Sequence, residues 1–250
     1  MNEFKWNKYI RLGEINKTAS GCDFTMRKND LVFFSKLIDF KNKKVLDIGC
    51  EDGVILEELK KEHSCDVSGI TLGEISEKNK SFIFESDLHE LPFENNSFDV
   101  VLIMHTLEHA ISPYICLCEI NRVLKTGGKV IIIMPEEGDV YTSCKQHYST
   151  MTFRQLFNLL NKTGFIPIRN YRKEYMLDDN EWKRDMLVCW EKNESETKSL
   201  LDNSKVYVPS LGETTSVNLG VKLTPVLLFC RLETELMNHF IGRTDSLKTG

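Results

Sequence analysis

No stretch of this 250-residue chain is apolar for long enough to cross a membrane, and its start, MNEFKWNKYIRLGE, lacks the apolar centre of a secretory signal. A protein of the cytoplasm with no membrane partner is therefore expected. Basic residues are not in excess: 32 Lys and Arg stand against 37 Asp and Glu, a formal charge of −5, so a nucleic-acid partner is not expected. The C-x2-C pairs that tetrahedral zinc draws upon are missing, since Cys22, Cys50, Cys65, Cys116, Cys118, Cys144, Cys189 and Cys230 are scattered along the chain. The closest two, Cys116 and Cys118, fall in an expected helix, where residues two apart point in different directions. No metal is expected, and the thiols read as reduced and mostly buried. Neither G-x-G-x-x-G nor G-x-x-x-x-G-K-[ST] occurs, which disfavours a nicotinamide dinucleotide or a nucleoside triphosphate. Internal repeats and low-complexity tracts are also absent.

What remains is a chain with 41% apolar residues, long enough to bury one sizeable core. Its pattern alternates. KKVLDIG, CDVSGIT, SFIFESD, FDVVLIM and KVIIIMP read as strands, separated by helical stretches at VILEELKKE, GEISEKNK and SPYICLCEINRVLK, the last ended by Gly127 and Gly128. Strands alternating with helices, the central strands apolar on both faces, mark a mostly parallel sheet covered by helices. The helix TFRQLFNLLNKTGF, a sixth strand FIPIRNYRKEYM and a last strand TPVLLFCRLETE complete the expected Rossmann-like open α/β sheet of seven strands, the last antiparallel. Ahead of it, residues 1–40 read as a helical cap, with Asn29 or Asp30 starting the helix of KNDLVFFSKLIDF. The core is expected over 41–176 and 223–250, as part of one domain spanning 1–250. Residues 177–222 read as an insertion that either arches over the strand ends as a lid or is a solvated excursion.

In such sheets ligands bind beyond the carboxyl ends of the strands. VLDIGCEDG places a strand, an acid and a glycine turn there, with Gly49 and Gly53 permitting close backbone approach. The helix that follows aims free amides and its positive dipole end at an anion. Glu51, between the glycines, would repel phosphate and tolerate a cation.

VLDIGCEDG resembles the D-x-G-x-G-x-G motif of class I S-adenosylmethionine-dependent methyltransferases, with Asp47, Gly49 and Gly53 matching and Glu51 departing. ESDLHELPFENNSFDVV, HTLEH, EINRVLKTGGKVIIIMP and HYSTMTFRQLFNLLNKTGF are similar, in order, to the type 11, ubiquinone-methyltransferase-like group, a resemblance covering about residues 43 to 168. It implies S-adenosylmethionine as cofactor. The amides around Gly49 and Cys50 would meet its carboxylate, and Asp47 would orient its ammonium. Thr71 and Leu72 stand where an acid commonly holds the ribose, with Glu74 as a substitute, while Asp87 would accept from the adenine amino group and Leu88 lie against the ring. Met104 and His105 would line the methyl end.

Methyl transfer needs alignment and exclusion of water more than acid catalysis, and a base only for a hydroxyl acceptor. His105, just after strand four, and His147, after strand five beside Tyr148, are the candidate catalytic groups; Glu108 and His109 read as capping or packing. The absence of Asn or Asp before Pro-Pro-aromatic after strand four argues against methylation of adenine or glutamine amines. Phe4, Trp6, Tyr9 and Phe24 are candidates to close over the site. The expected activity is methyl transfer to oxygen or nitrogen of a small molecule such as a sugar, lipid precursor or secondary metabolite. The alternatives are a protein or RNA methyltransferase, or a non-catalytic module binding the same cofactor. A homodimer stays open.

Overall fold

The computed structural model describes residues 24–36, 38–137, 146–176, 182–193, 208–211, 215–217 and 221–229. Phe4, Trp6, Tyr9 and the expected chain end at 230–250 lie outside them. The elements in chain order are α1 (Phe24–Ser35), β1 (Lys44–Ile48), α2 (Val54–His63), β2 (Asp66–Thr71), β3 (Ile83–Glu85), β4 (Phe98–Met104), α3 (Pro113–Val123), β5 (Leu124–Pro135), α4 (Phe153–Lys162), β6 (Phe165–Met176), β7 (Trp182–Lys192), β8 (Val208–Leu211), β9 (Thr215–Val217) and β10 (Val221–Phe229).

One sheet runs in the order β3-β2-β1-β4-β5-β7-β6-β10-β8, with β9 beside β10. Strands β1 to β5 pair in parallel, and β7 runs antiparallel between β5 and β6. Alternation along each strand sends successive side chains to opposite faces. Leu46, Ile48, Val101 and Ile132 meet Leu117 and Ile120 of α3 and Leu156, Phe157 and Leu160 of α4 on one face. Val45, Val100, Leu102 and Ile131 meet Leu31 and Phe34 of α1 and Ile55, Leu56 and Leu59 of α2 on the other. Each large apolar side chain fully buried this way contributes about 1.5–3 kcal/mol relative to exposure, so the double cover holds the five parallel strands and their ends in place.

The expected α/β sheet with helices on both faces is what folds, with four differences. An antiparallel strand precedes the expected last one, which itself runs antiparallel, as β10 against β6: Trp182–Lys192, expected in a lid or excursion, is β7, deep in the sheet. Its apolar run Met186–Trp190 is fully buried, but flanking charges at Lys183, Arg184, Asp185, Glu191 and Lys192 gave it a polar appearance. The expected last strand instead begins at Val221 and, with β8 and β9, widens the sheet beyond β6 to ten strands. The stretch GEISEKNK makes only a 3-10 turn, Glu77–Asn79, in which buried Asn79 donates its side-chain amide to the Asp52 carbonyl and fastens the glycine turn. Finally, α1 starts at Phe24, so Asp30 is not a cap: its buried carboxylate accepts two 2.9 Å hydrogen bonds from Lys173 Nζ on β6.

Local chemistry sets the helix positions near the site. Thr152 and Gln155 form a reciprocal capping box at the start of α4. Gly53 caps α2 from a left-handed conformation, φ 79. At Gly69 on β2, a Cβ would come within 2.5 Å of Cys50 Sγ and 2.7 Å of Leu56 Cδ1, so the missing side chain lets the turn and α2 lie close on the sheet.

Candidate active site

The carboxyl ends of β1, β2 and β4 and the loop after β3 bring the expected cofactor residues to one edge. Asp47 is fully buried near the end of β1, opposite Gly69 of β2 and Leu102 of β4, on the face that Val45 shares with α1 and α2. Gly49, Glu51 and Gly53 all have positive φ, 77°, 51° and 79°. The motif's glycines are thus required by backbone shape, and Glu51 adopts a left-handed conformation that costs an L side chain roughly 1–2 kcal/mol. Gly49 is constrained from outside as well, because a Cβ there would lie 2.2 Å from Thr106 Oγ1 in the loop after β4.

The amides of Gly49 and Cys50 both donate to the Ile70 carbonyl, at 2.9 and 3.1 Å, and that of Gly53 to Cys50. The turn uses these two amides to bind itself to β2. The anion-binding capacity lies one step on, in the N-terminal amides of α2, whose intrahelical bonding begins with Glu57 N to Gly53 O at 3.0 Å. Cys50 is buried, with its sulfur against the Gly69 position, and serves as packing.

At the end of β2, Thr71 is buried and its Oγ1 accepts from Gly73 N at 3.0 Å, closing a local turn. Its hydroxyl proton remains to be donated, so it suits a ribose oxygen as a donor. Leu72 is half-buried and Glu74 exposed beside it. After β3, Asp87 and His89 form a buried pair: Oδ1 of Asp87 accepts from His89 N at 2.8 Å and lies 2.7 Å from His89 Nδ1. His89 Nε2 accepts from Ser112 N at 3.1 Å, so the ring proton sits on Nδ1 and is donated to Asp87. Asp87 Oδ2 is then left buried with no hydrogen-bond partner among the described residues, the acceptor an adenine amino group requires. Leu88 is buried beside it. His89 and Ser112, which orient Asp87, were not singled out in the sequence, although a His two residues after an Asp is a pattern local enough to notice.

Met104 packs into the core at the end of β4. His105 follows with φ 52°, its amide donating to the Ile133 carbonyl at 2.8 Å. Its ring lies between two buried carboxylates, Nδ1 3.7 Å from Glu108 Oε1 and Nε2 3.7 Å from Asp185 Oδ2. Burial pushes the Asp185 carboxyl above its ordinary range, although His105 and Lys173 pull the other way. Burial also opposes the charge of Glu108, but His105 and His109 outweigh it and hold that carboxyl below the usual range. Glu108, read as a cap, is instead a buried electrostatic partner. His147, in the segment after β5, stacks edge-on with His109 at 4.9 Å between ring centres. Glu108 therefore lies between the two candidate catalytic histidines. Asp185 could not be foreseen, since 80 residues separate it from His105 and only the antiparallel insertion of β7 joins them.

An open mostly parallel sheet with a left-handed glycine turn after β1, a buried acid with one free oxygen after β3 and a polar cluster after β4 defines a class I S-adenosylmethionine-dependent methyltransferase. Residues 46–132 match the methyltransferase-domain family of type 11. The chain is 30% identical to demethylmenaquinone methyltransferase of Staphylococcus aureus, a match over 52% of this chain and 70% of that one. It is 25% identical to tRNA U34 carboxymethyltransferase of Nautilia profundicola, over 70% of this chain and 64% of the relative, so it spans less than two thirds of that protein. Among solved structures, phosphoethanolamine N-methyltransferase 2 of Haemonchus contortus, determined with S-adenosyl-L-methionine, superposes at TM-score 0.54 with 20% identity, over 67% of this chain and 53% of that one. The chain belongs to the type 11 group of S-adenosylmethionine-dependent methyltransferases, and its cofactor is S-adenosylmethionine.

Proposed function

We propose that this protein is a cytoplasmic enzyme that moves the methyl group of S-adenosylmethionine to oxygen or nitrogen of a small-molecule acceptor. The observation that carries the cofactor placement is Asp87 Oδ2, a buried acceptor without a partner among the described residues, at the same sheet edge as a turn that needs glycine at 49 and 53. The N-terminal amides of α2 hold the methionine carboxylate, Asp47 its ammonium, Thr71 a ribose oxygen and Asp87 the adenine amino group. The cofactor supplies an electrophilic methyl on a positively charged sulfur. The protein's part is alignment and water exclusion, with His105 and His147 placed to take a proton from a hydroxyl acceptor. A small acceptor is supported by the formal charge of −5 and by the similarity to a menaquinone-precursor methyltransferase. No helix among the described residues is long and apolar enough to cross a membrane.

A second reading, an RNA acceptor, is favoured by the similarity to the tRNA U34 carboxymethyltransferase. Two measurements decide. Calorimetric titration with S-adenosylhomocysteine is expected to show one site; no heat would defeat the cofactor placement. Methyl transfer from labelled S-adenosylmethionine to a quinol, sugar and amine panel, run beside total tRNA, assigns the acceptor class, and label only in tRNA would displace the small-molecule reading.

A further inference from the structure

From the cluster Glu108, His109 and His147 we infer a binding site for one divalent first-row transition ion of the Zn2+ class, on the acceptor side of the proposed methyl-transfer site. Each of these side chains offers a ligand atom, and the three atoms lie within 4.8 Å of one another, a spread that a single ion closes by small side-chain rotations. Two further observations point the same way. Glu108 is buried, and its Oε2 has no hydrogen-bond partner among the described residues; a buried carboxylate oxygen without a donor is a place for a cation. His109 Nδ1 lies 2.9 Å from the Gln146 carbonyl, so Nδ1 carries the proton and Nε2 presents its lone pair. A backbone carbonyl fixing one imidazole nitrogen while the other faces outward is the arrangement that orients a metal-ligating histidine. Two imidazoles and one carboxylate leave coordination positions open and favour a borderline transition ion over Mg2+ or Ca2+.

The cysteine spacing excluded a zinc site of the cysteine type, but it was blind to this one, which joins a 3-10 turn after β4, Leu107–His109, to a residue following β5. Its chemical use rests on the methyltransferase reading. The open positions take one or two oxygens of the acceptor, which makes the acceptor an oxygen nucleophile, such as a vicinal diol or an enediol. With its lone pair on the ion His147 no longer serves as the base, and the bound hydroxyl loses its proton to water at neutral pH. An oxygen lone pair forms the new C–O bond, the C–S bond breaks, and its electron pair stays on sulfur as the neutral thioether.

The test uses the full chain after chelator treatment and dialysis, titrated with Co2+ while visible absorption is followed and with Zn2+ by competition against a coloured chelator. One ion per chain is expected, with d–d bands of a low-coordinate N/O site. His147→Gln and His109→Gln should each weaken Zn2+ binding by about 10- to 100-fold or more, with unchanged circular dichroism and unchanged S-adenosylhomocysteine affinity. His63→Gln, at the far end of α2, should leave ion binding unchanged. Absence of stoichiometric binding to the wild type, or equal Zn2+ affinity in the wild type and His147→Gln, overturns the site. Ion binding without S-adenosylhomocysteine binding upholds the ion site and defeats the methyltransferase placement; the reverse result defeats the ion site alone.

Discussion

Replacing Gly49 by alanine tests the turn at its tightest point. Two separate penalties apply. The residue has φ 77°, a left-handed conformation that costs an L residue about 1–2 kcal/mol. The new Cβ would also meet Thr106 Oγ1 at 2.2 Å, Cγ2 at 2.8 Å and Cβ at 3.0 Å, an overlap whose relief by shifts of the β4 loop costs about 1–3 kcal/mol. The expected destabilisation of Gly49→Ala is therefore about 2–5 kcal/mol. Thr106→Ala alone removes the hydroxyl that donates to the Met104 carbonyl at 3.1 Å, for about 1 kcal/mol. In the double variant the two closest clashing atoms are gone, so it should be more stable than the sum of the single changes by about 1–3 kcal/mol. The backbone penalty alone would remain. Urea unfolding followed by circular dichroism measures all four corners of this cycle, and S-adenosylhomocysteine titration of the same variants reports the turn's function. A Gly49→Ala cost below about 1 kcal/mol, or strict additivity, would refute the claim that the β4 loop and the left-handed turn together require glycine.

Asp87→Ala should weaken S-adenosylhomocysteine binding about 10- to 150-fold through loss of a charge-assisted hydrogen bond, and an unchanged calorimetric affinity would remove Asp87 from the adenine site. Asp185→Asn tests linkage. Because burial raises this carboxyl in the folded state, in surroundings that also include His105, Lys173, Asp30 and Glu108, its contribution is fully present below the unfolded value of about 3.9 and is lost as pH rises through the folded one. The stability of wild type relative to Asp185→Asn should therefore fall as pH rises above about 4, and a difference independent of pH would contradict the raised direction.

The parallel half of the sheet was legible because both of its signals are local. KVLDI, DVSGIT and FDVVLIM are short apolar runs bounded by turn residues, and the D-x-G-x-x-x-G spacing names a strand-turn-helix without reference to anything distant. In the antiparallel half β6 was legible as FIPIRNYRKEYM, but β7 was not. Met186–Trp190 is apolar enough for a central strand, yet five charged neighbours and a separation of about fifty residues from β5 concealed its place between β5 and β6. For the same reason the two carboxylates that flank the candidate catalytic group His105, Glu108 on one side and Asp185 on the other, were not paired with it in the sequence. Thr71 and Asp87 lie at the end of β2 and just after β3, but which of their atoms are already engaged, Oγ1 with Gly73 and Oδ1 with His89, depends on loop geometry.

By itself the sequence determined the fold class, since hydrophobic period and glycine position act over a few residues and leave their mark in the chain order, and its resemblance to a known family implied the cofactor and the sheet edge proposed to hold it. Only the tertiary structure decided which polar groups face one another there. Asp30 with Lys173, His105 with Asp185, and Glu108 with His109 and His147 are brought together by strand order and loop crossing. Their interactions depend on distances of a few ångströms between residues that can lie up to 143 positions apart.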